Sequence, residues 1–178
     1  MGKLDDKIAL ITGSSSGIGK AVALAFAREG AHIALNYPND SEAQNAAEVS
    51  SAIAALGRRV TATQADVSKE DQARALVDET MRTYGRIDIL VNNAGIATVS
   101  TVGEMPVAMW DEMMAVNLRS VFLCTRLVLP IMYQQNGFDH GVGHSLLLLY
   151  DEIAPNCQKS KEFKSLGHYP SNTVLSAF

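Results

Sequence analysis

The stretch Lys7-Ile8-Ala9-Leu10-Ile11-Thr12-Gly13-Ser14-Ser15-Ser16-Gly17-Ile18-Gly19 decides how this chain folds. Its opening residues form a short run rich in β-branched side chains, as a strand buried on both faces requires. Residues 17–29 then place Ile18, Val22, Ala25 and Phe26 at helical spacing, with Gly30 just beyond, where helices stop. Between strand and helix the glycines fall as Gly13-x-x-x-Gly17-x-Gly19. Gly13 permits a tight turn off the strand, Gly17 lets the backbone approach a pyrophosphate, and Gly19 lets helix pack on strand. Phosphates would meet the free N–H groups and the positive end of the new helix. Ser14, Ser15 and Ser16 add hydroxyl donors at the same spot. A Gly/Ser-rich turn with no ligand is the competing reading. A P-loop fails, because Ser14 stands where its first glycine belongs and Ala21 replaces the Mg²⁺-binding hydroxyl.

Outward from that turn, strand and helix signals alternate. Ala31–Leu35 reads as a second strand, and Ser41 is placed to cap a helix running to Gly57. Val60–Thr63 reads as a third strand. Ser68 with Asp71 has the spacing of a capping box, opening a helix through Leu76, Val77, Met81 and Tyr84 that stops at Gly85. Ile87–Val91 is the fourth strand. Pro106 suits a first helical turn, and a long helical stretch follows from Trp110 towards Gln135. The pattern predicts an α/β fold, a doubly wound parallel sheet (Rossmann-like) with right-handed crossovers.

Bulk properties bound the rest. The chain has 178 residues, 47% hydrophobic and 19% charged, with a net charge of -4 and two cysteines. That suits one globular domain with a sizeable core. The charge is scattered with no basic run, which argues against nucleic acid. No uninterrupted apolar run reaches membrane-spanning length, and the charged start Lys3-Leu4-Asp5-Asp6 is unlike a signal peptide, so a cytoplasmic protein with no membrane partner is expected. Cys124 and Cys157 make neither a disulfide framework nor a metal set; no metal is expected.

Ligands of such sheets bind beyond the carboxyl ends of the strands. Three further signals fall there: Asn36-Tyr37 after strand two, Asp66-Val67 after strand three, and Asn92-Asn93-Ala94-Gly95 after strand four. Taken singly, Asp66 also reads as a turn or helix-start residue, and Gly95 as the centre of a turn. Their joint placement at one edge favours a binding site.

Thr-Gly-x-x-x-Gly-Ile-Gly at 12–19, Asp66-Val67, Asn-Asn-Ala-Gly at 92–95 and Val116-Asn117 together resemble the short-chain dehydrogenase/reductase family, most of all its 3-oxoacyl-acyl-carrier-protein-reductase-like and sugar-dehydrogenase-like members. The resemblance runs from about residue 3 to 137. It implies an NAD(P)-dependent oxidoreductase acting on a small-molecule carbonyl or alcohol. Gly13, Ser15, Ser16, Gly17, Ile18 and Gly19 would hold the pyrophosphate. Asp66 and Val67 would flank the adenine, while Asn93, Ala94 and Gly95 would line the adenosine-ribose side. Asn117 would hold a water in the proton relay that serves the active-site Lys. At the end of strand two, Asn36 removes the carboxylate that selects NAD, and no basic residue replaces it. Asp40 opposes a phosphate, and the expectation leans to NADP over NAD.

The family's chemistry needs a Ser, a Tyr and a Lys four residues after the Tyr. No Tyr in this sequence is followed at that spacing by Lys; Tyr133, Tyr150 and Tyr169 are followed by Gly137, Ala154 and Thr173. From Phe138 onward the resemblance stops. The expectation is therefore a dinucleotide-binding domain over 1–137 and a divergent tail over 138–178, with its C-terminal strands missing or altered. Truncation, a frame disturbance and real divergence all stay open as causes. Ser145 stands near the position of the family's serine, Leu146–Leu149 imitates a fifth strand, and Cys157-Gln-Lys-Ser160-Lys161 has the outline of Tyr-x-x-Ser-Lys. These give Ser145, Cys157 and Lys161 as secondary catalytic candidates. The strand-five side of the sheet would be left as an exposed apolar edge. Helix 110–135 is the expected surface for a homo-oligomer. The rival functional reading is a non-catalytic NAD(P)-binding or interaction module.

Overall fold

The structure, a computed structural model, describes residues 2–136, 146–149 and 173–177. Strand β1 (Ile8–Ile11) leads into helix α1 (Gly17–Arg28), β2 (His32–Tyr37), a single 3-10 turn at Asp40–Glu42 and helix α2 (Ala43–Ala55). Then come β3 (Val60–Gln64), α3 (Glu70–Tyr84), β4 (Ile89–Asn92) and α4 (Val107–Met114). A wider, π-type turn over Ala115–Arg119 joins α4 to α5 (Ser120–Asn136). Strands β5 (Leu146–Leu149) and β6 (Thr173–Ala177) complete the described elements.

All pairings are parallel, in the order β3-β2-β1-β4-β6-β5. The strand period sorts the core into two layers. Ala9, Ile11, Ile33, Leu35, Ile89 and Val91 meet Val22, Phe26, Val49 and Ile53 of α1 and α2 on one face. Leu10, Ala34 and Leu90 meet Leu76, Val77, Leu123, Cys124 and Val128 of α3 and α5 on the other. Both faces are covered, which is why β1 and β4 are buried at every residue. This is the doubly wound Rossmann-like sheet that the alternation predicts.

Several local expectations are corrected. Asn39, not Ser41, organises the start of α2: its Oδ1 accepts from Ser41 N and Ser41 Oγ, and the 3-10 turn precedes the helix. At α3, Ser68 and Asp71 form no capping box. Ser68 N and Oγ instead donate to Asp66 Oδ1, and Lys69 occupies the N-cap position without a side-chain bond. Short polar side chains bond whichever backbone group the turn presents, so spacing alone does not choose the cap. Gly85, with φ 74°, closes α3 as read. Pro106 sits one residue before the first helical turn, at the N-cap of α4.

Two larger expectations also change. The outer edge of β4 is not left bare: Ile89, Leu90, Val91 and Asn92 are in register with Thr173–Ser176 of β6. Leu146–Leu149 is indeed a strand, but it lies beyond β6 rather than beside β4. The 29-residue helical run Val107–Gln135 is long and apolar enough to cross a membrane by length and composition alone. Arg119 and Arg126 break its apolar stretch in the sequence, which hid this property. Leu123, Cys124, Val128 and Met132 of the same run are packed in the core against α3.

Candidate functional site

The polar residues at the carboxyl edge of the sheet fall into two groups: those whose bonds fix the backbone, and those that stay open. Thr12 belongs to the first. Its Oγ1 accepts from the backbone N–H groups of Asn93 and Ala94, both at 3.0 Å. Asn93 answers with Nδ2, which donates to the Thr12 and Gly13 carbonyls, both at 2.9 Å. The loops after β1 and β4 are thus locked together by four bonds through two side chains.

Asn36 does the same between β1, β2 and β3. It is buried, accepts from Gly13 N at 3.1 Å, and donates to the Ala65 carbonyl at 2.9 Å and the Thr63 carbonyl at 3.2 Å. Ser14 Oγ donates to the Ile11 carbonyl and accepts from Asn36 N. Asn36 therefore sits at the predicted place, but its carboxamide is fully engaged with backbone and is not presented to solvent.

The three glycines separate by what surrounds them. A Cβ on Gly13, whose φ is 59°, would lie 2.9 Å from Ala94 Cα. One on Gly19 would collide with Asn93 Nδ2 and the Gly13 carbonyl. The tight fit at Gly19 is thus made by the β4 loop and the turn itself. Gly17 differs: φ is 54°, and nothing lies within 4 Å of where its Cβ would be. Ser16 and Ile18 beside it are exposed, and no side chain caps the start of α1. The structure leaves a backbone cradle facing open space at a helix N-terminus, which fits a pyrophosphate.

Ser15 is buried, and its Oγ donates to Glu42 Oε2 at 2.6 Å. Glu42 also accepts from Asn45 at 3.2 Å, and the Ser15 bond foremost holds its carboxyl below the ordinary value. At the end of β3, Asp66 Oδ1 accepts from Ser68, while Oδ2 faces Lys69 Nζ at 3.3 Å. Burial pushes the Asp66 carboxyl up, but the Ser68 and Lys69 contacts outweigh it and leave it below its ordinary value. Asp66 thus builds the turn into α3 while standing at the edge. Val67 is buried in the core beside Ala73 and Leu76.

Asn117 lies in the wide turn between α4 and α5. Its Oδ1 accepts from Ile96 N at 2.8 Å and its Nδ2 donates to the Ile96 carbonyl at 2.9 Å. Both ends of its amide hold the segment after Gly95. Ser145, Cys157 and Lys161 lie outside the described residues. Among the described residues no group of His, Cys, Asp and Glu is arranged to hold a metal. Cys124 is buried in the core, where burial pushes its thiol up to about 12.

Two contributors were missed from the sequence. Thr12 is part of the motif, but its double acceptor role depends on the β4 loop, 81 residues away. Glu42 carries no spacing signal; only the turn after β2 brings it to Ser15.

Comparison with known proteins agrees with this geometry. The chain is 41% identical over 135 residues to the 3-oxoacyl-[acyl-carrier-protein] reductase of Synechocystis sp., covering 76% of this chain and 54% of that protein. It is 42% identical over 133 residues to the D-beta-hydroxybutyrate dehydrogenase of Cupriavidus necator, covering 75% and 50%. The crystal structure of a short chain dehydrogenase from Burkholderia cenocepacia in complex with NADP superposes with a TM-score of 0.69 at 37% identity, covering 72% of this chain and 52% of that one. The chain thus spans about half the length of the curated relatives it matches. The sequence profile named short chain dehydrogenase matches residues 7–138, and with these relatives it makes the chain a member of the short-chain dehydrogenase/reductase family.

Proposed function

We propose that this chain carries the cofactor-holding half of an NAD(P)-dependent oxidoreductase acting on a carbonyl or hydroxyl group of a small molecule. The observation that carries the reading is the open cradle at Gly17, set on a backbone that Thr12, Asn36 and Asn93 hold rigid. Residues 13–19 hold the pyrophosphate on the N-terminus of α1. Asp66 and the Val67 backbone flank the adenine, and Asn93, Ala94 and Gly95 line the ribose side. A bound nicotinamide supplies or accepts the hydride. Asn117 keeps the floor of the reaction side in place through Ile96.

On the proton-transfer side this sequence departs from the pattern that the family resemblance implies. No Tyr is followed four residues later by Lys, so no phenol of lowered pKa is supplied by that spacing. Loss of a general acid/base typically costs about 10²- to 10⁴-fold in rate. The pure 178-residue chain should therefore bind NADH or NADPH saturably, read by nicotinamide fluorescence, while reducing carbonyls at background rate. Failure to bind either dinucleotide contradicts the reading. Robust turnover contradicts the catalytic impairment.

A non-catalytic NAD(P)-binding or interaction module is the second reading, and one observation favours it. Leu118 of the wide turn and Phe122 of α5 are exposed and line an apolar groove, and Trp110 of α4 is exposed as well. Co-purification with an intact family member through residues 110–135 supports it.

A further inference from the structure

The amino end of the sheet holds a histidine that the proposed function leaves unused. His32 opens β2 between the residues that lead into β1 and into β3, and its side chain is 14% exposed. Its backbone N–H donates to the Lys7 carbonyl at 2.8 Å, which seats it on β1. Its ring reaches the opposite neighbour: Nδ1 accepts from the backbone N–H of Arg59 at 3.0 Å, one residue before β3 begins. The Arg59 carbonyl accepts from Ile33 N, also at 3.0 Å. Both backbone groups of Arg59 are thus held by β2, one by main chain and one by the imidazole. β3 is an edge of the sheet, so its entry is pinned from this side. An Nδ1 that accepts carries no proton, and the bond therefore exists only for the neutral ring.

We propose that His32 is a pH-sensitive clasp on the edge strand β3, closed while its imidazole is neutral and opened by protonation, which turns Nδ1 from an acceptor into a donor facing the Arg59 N–H. The charges around the ring set when it opens. Arg58 and Arg59 flank it from the loop before β3; Arg58 Nη1 donates to the Gly30 carbonyl at 3.0 Å, and the Arg59 guanidinium lies 5.0 Å from the centre of the Tyr84 ring of α3. From the turn before β1, Asp6 Oδ1 stands 3.7 Å from Nε2, but Asp6 is 86% exposed and also faces Arg58 at 3.9 Å. Lys7 is directed to Asp88 instead. Burial foremost, then Arg59 and Arg58, hold the ring below its ordinary value of 6.5 against the pull of Asp6. The clasp is therefore whole above about pH 6.5 and opens as pH falls through the lower, folded-state value.

The test is amide hydrogen exchange of the full chain by NMR, following Arg59 from about pH 7.5 to about pH 4.5, with protection corrected for the intrinsic pH dependence of exchange. The Ala65 amide, which donates to the Tyr37 carbonyl just past the far end of β3, is the internal control. Wild-type protection at Arg59 should fall about three- to tenfold across that range, the worth of one hydrogen bond, while Ala65 holds. His32→Asn keeps an acceptor in place of Nδ1 and removes the titration, so its Arg59 protection should not respond to pH. A flat wild-type profile overturns the proposal by itself. So does an equal fall at Ala65, or a fall at Arg59 that persists in full in His32→Asn.

Discussion

The two ends of the parallel sheet treat their polar groups differently. At the amino end, Asp88 is buried to 1% exposure and saturated: it accepts from Ile8 N at 2.9 Å and from Arg86 at 2.5 Å, with Lys7 at 3.9 Å. At the carboxyl end, Thr12, Asn36 and Asn93 are bonded to backbone, yet in the same loop as Thr12, Ser16, Gly17 and Ile18 face solvent. The lower end is closed on itself; the upper end is a rigid frame around an opening. Stability and ligand binding should therefore separate by residue. Substitutions in the frame damage the fold, whereas a substitution at the opening damages binding alone.

The largest effect is expected in the frame. Asn36→Leu strands the Gly13 N–H and the Ala65 carbonyl in a buried place, at a cost of about 3 kcal/mol, or roughly 6–12 °C in melting temperature. Asp88→Ala at the opposite end should also destabilise, by leaving the buried Ile8 N–H without its acceptor. Thermal melts of the two variants check the symmetry of the frame. An Asn36→Leu protein as stable as wild type would show that the carboxyl end is not locked as described.

Acid sharpens the same contrast. Asp66 and Glu42 are held below their ordinary values of 3.8 and 4.5 in the folded state. Their contribution to stability is complete above those values and is lost as pH falls through the lower, folded-state values. Asp66→Asn should therefore flatten the acid limb of the stability curve below about pH 4 while leaving its neutral part nearly parallel to wild type. An unchanged limb would contradict the Ser68 and Lys69 contacts.

The smallest effect on stability is expected on the outer helical face. Phe122 is 60% exposed, so Phe122→Ser should change stability by no more than about 0.5 kcal/mol. Sedimentation should nonetheless report weaker self-association if this face pairs copies of the chain. A large loss of stability would mean that the face is covered within one chain.

Much of this was legible in sequence because it is local and periodic. The Gly13, Gly17 and Gly19 spacing, the strand alternation and the helix stop at Gly85 each follow from a few neighbouring residues. What escaped depends on distant partners. Thr12 acquires its role from Asn93 and Ala94, Glu42 from Ser15, and Asn36 from Thr63 and Ala65. Helix starts were misjudged where two short polar residues competed for one turn, as Asn39 and Ser41 do. The placement of β6 between β4 and β5 is a choice of sheet partner, and apolar strand runs carry no label for their neighbour.

Gly17→Ala tests the central claim most directly. Its Cβ meets no atom of the protein, so the cost to stability is only the positive φ, about 1–2 kcal/mol. The same methyl fills the cradle over the N-terminus of α1. Nicotinamide-dinucleotide titration of wild type and Gly17→Ala, with melts run in parallel, should show saturable binding by wild type and none by a folded variant. Equal binding by both would contradict the account, because the opening at Gly17 would then not be where the pyrophosphate sits.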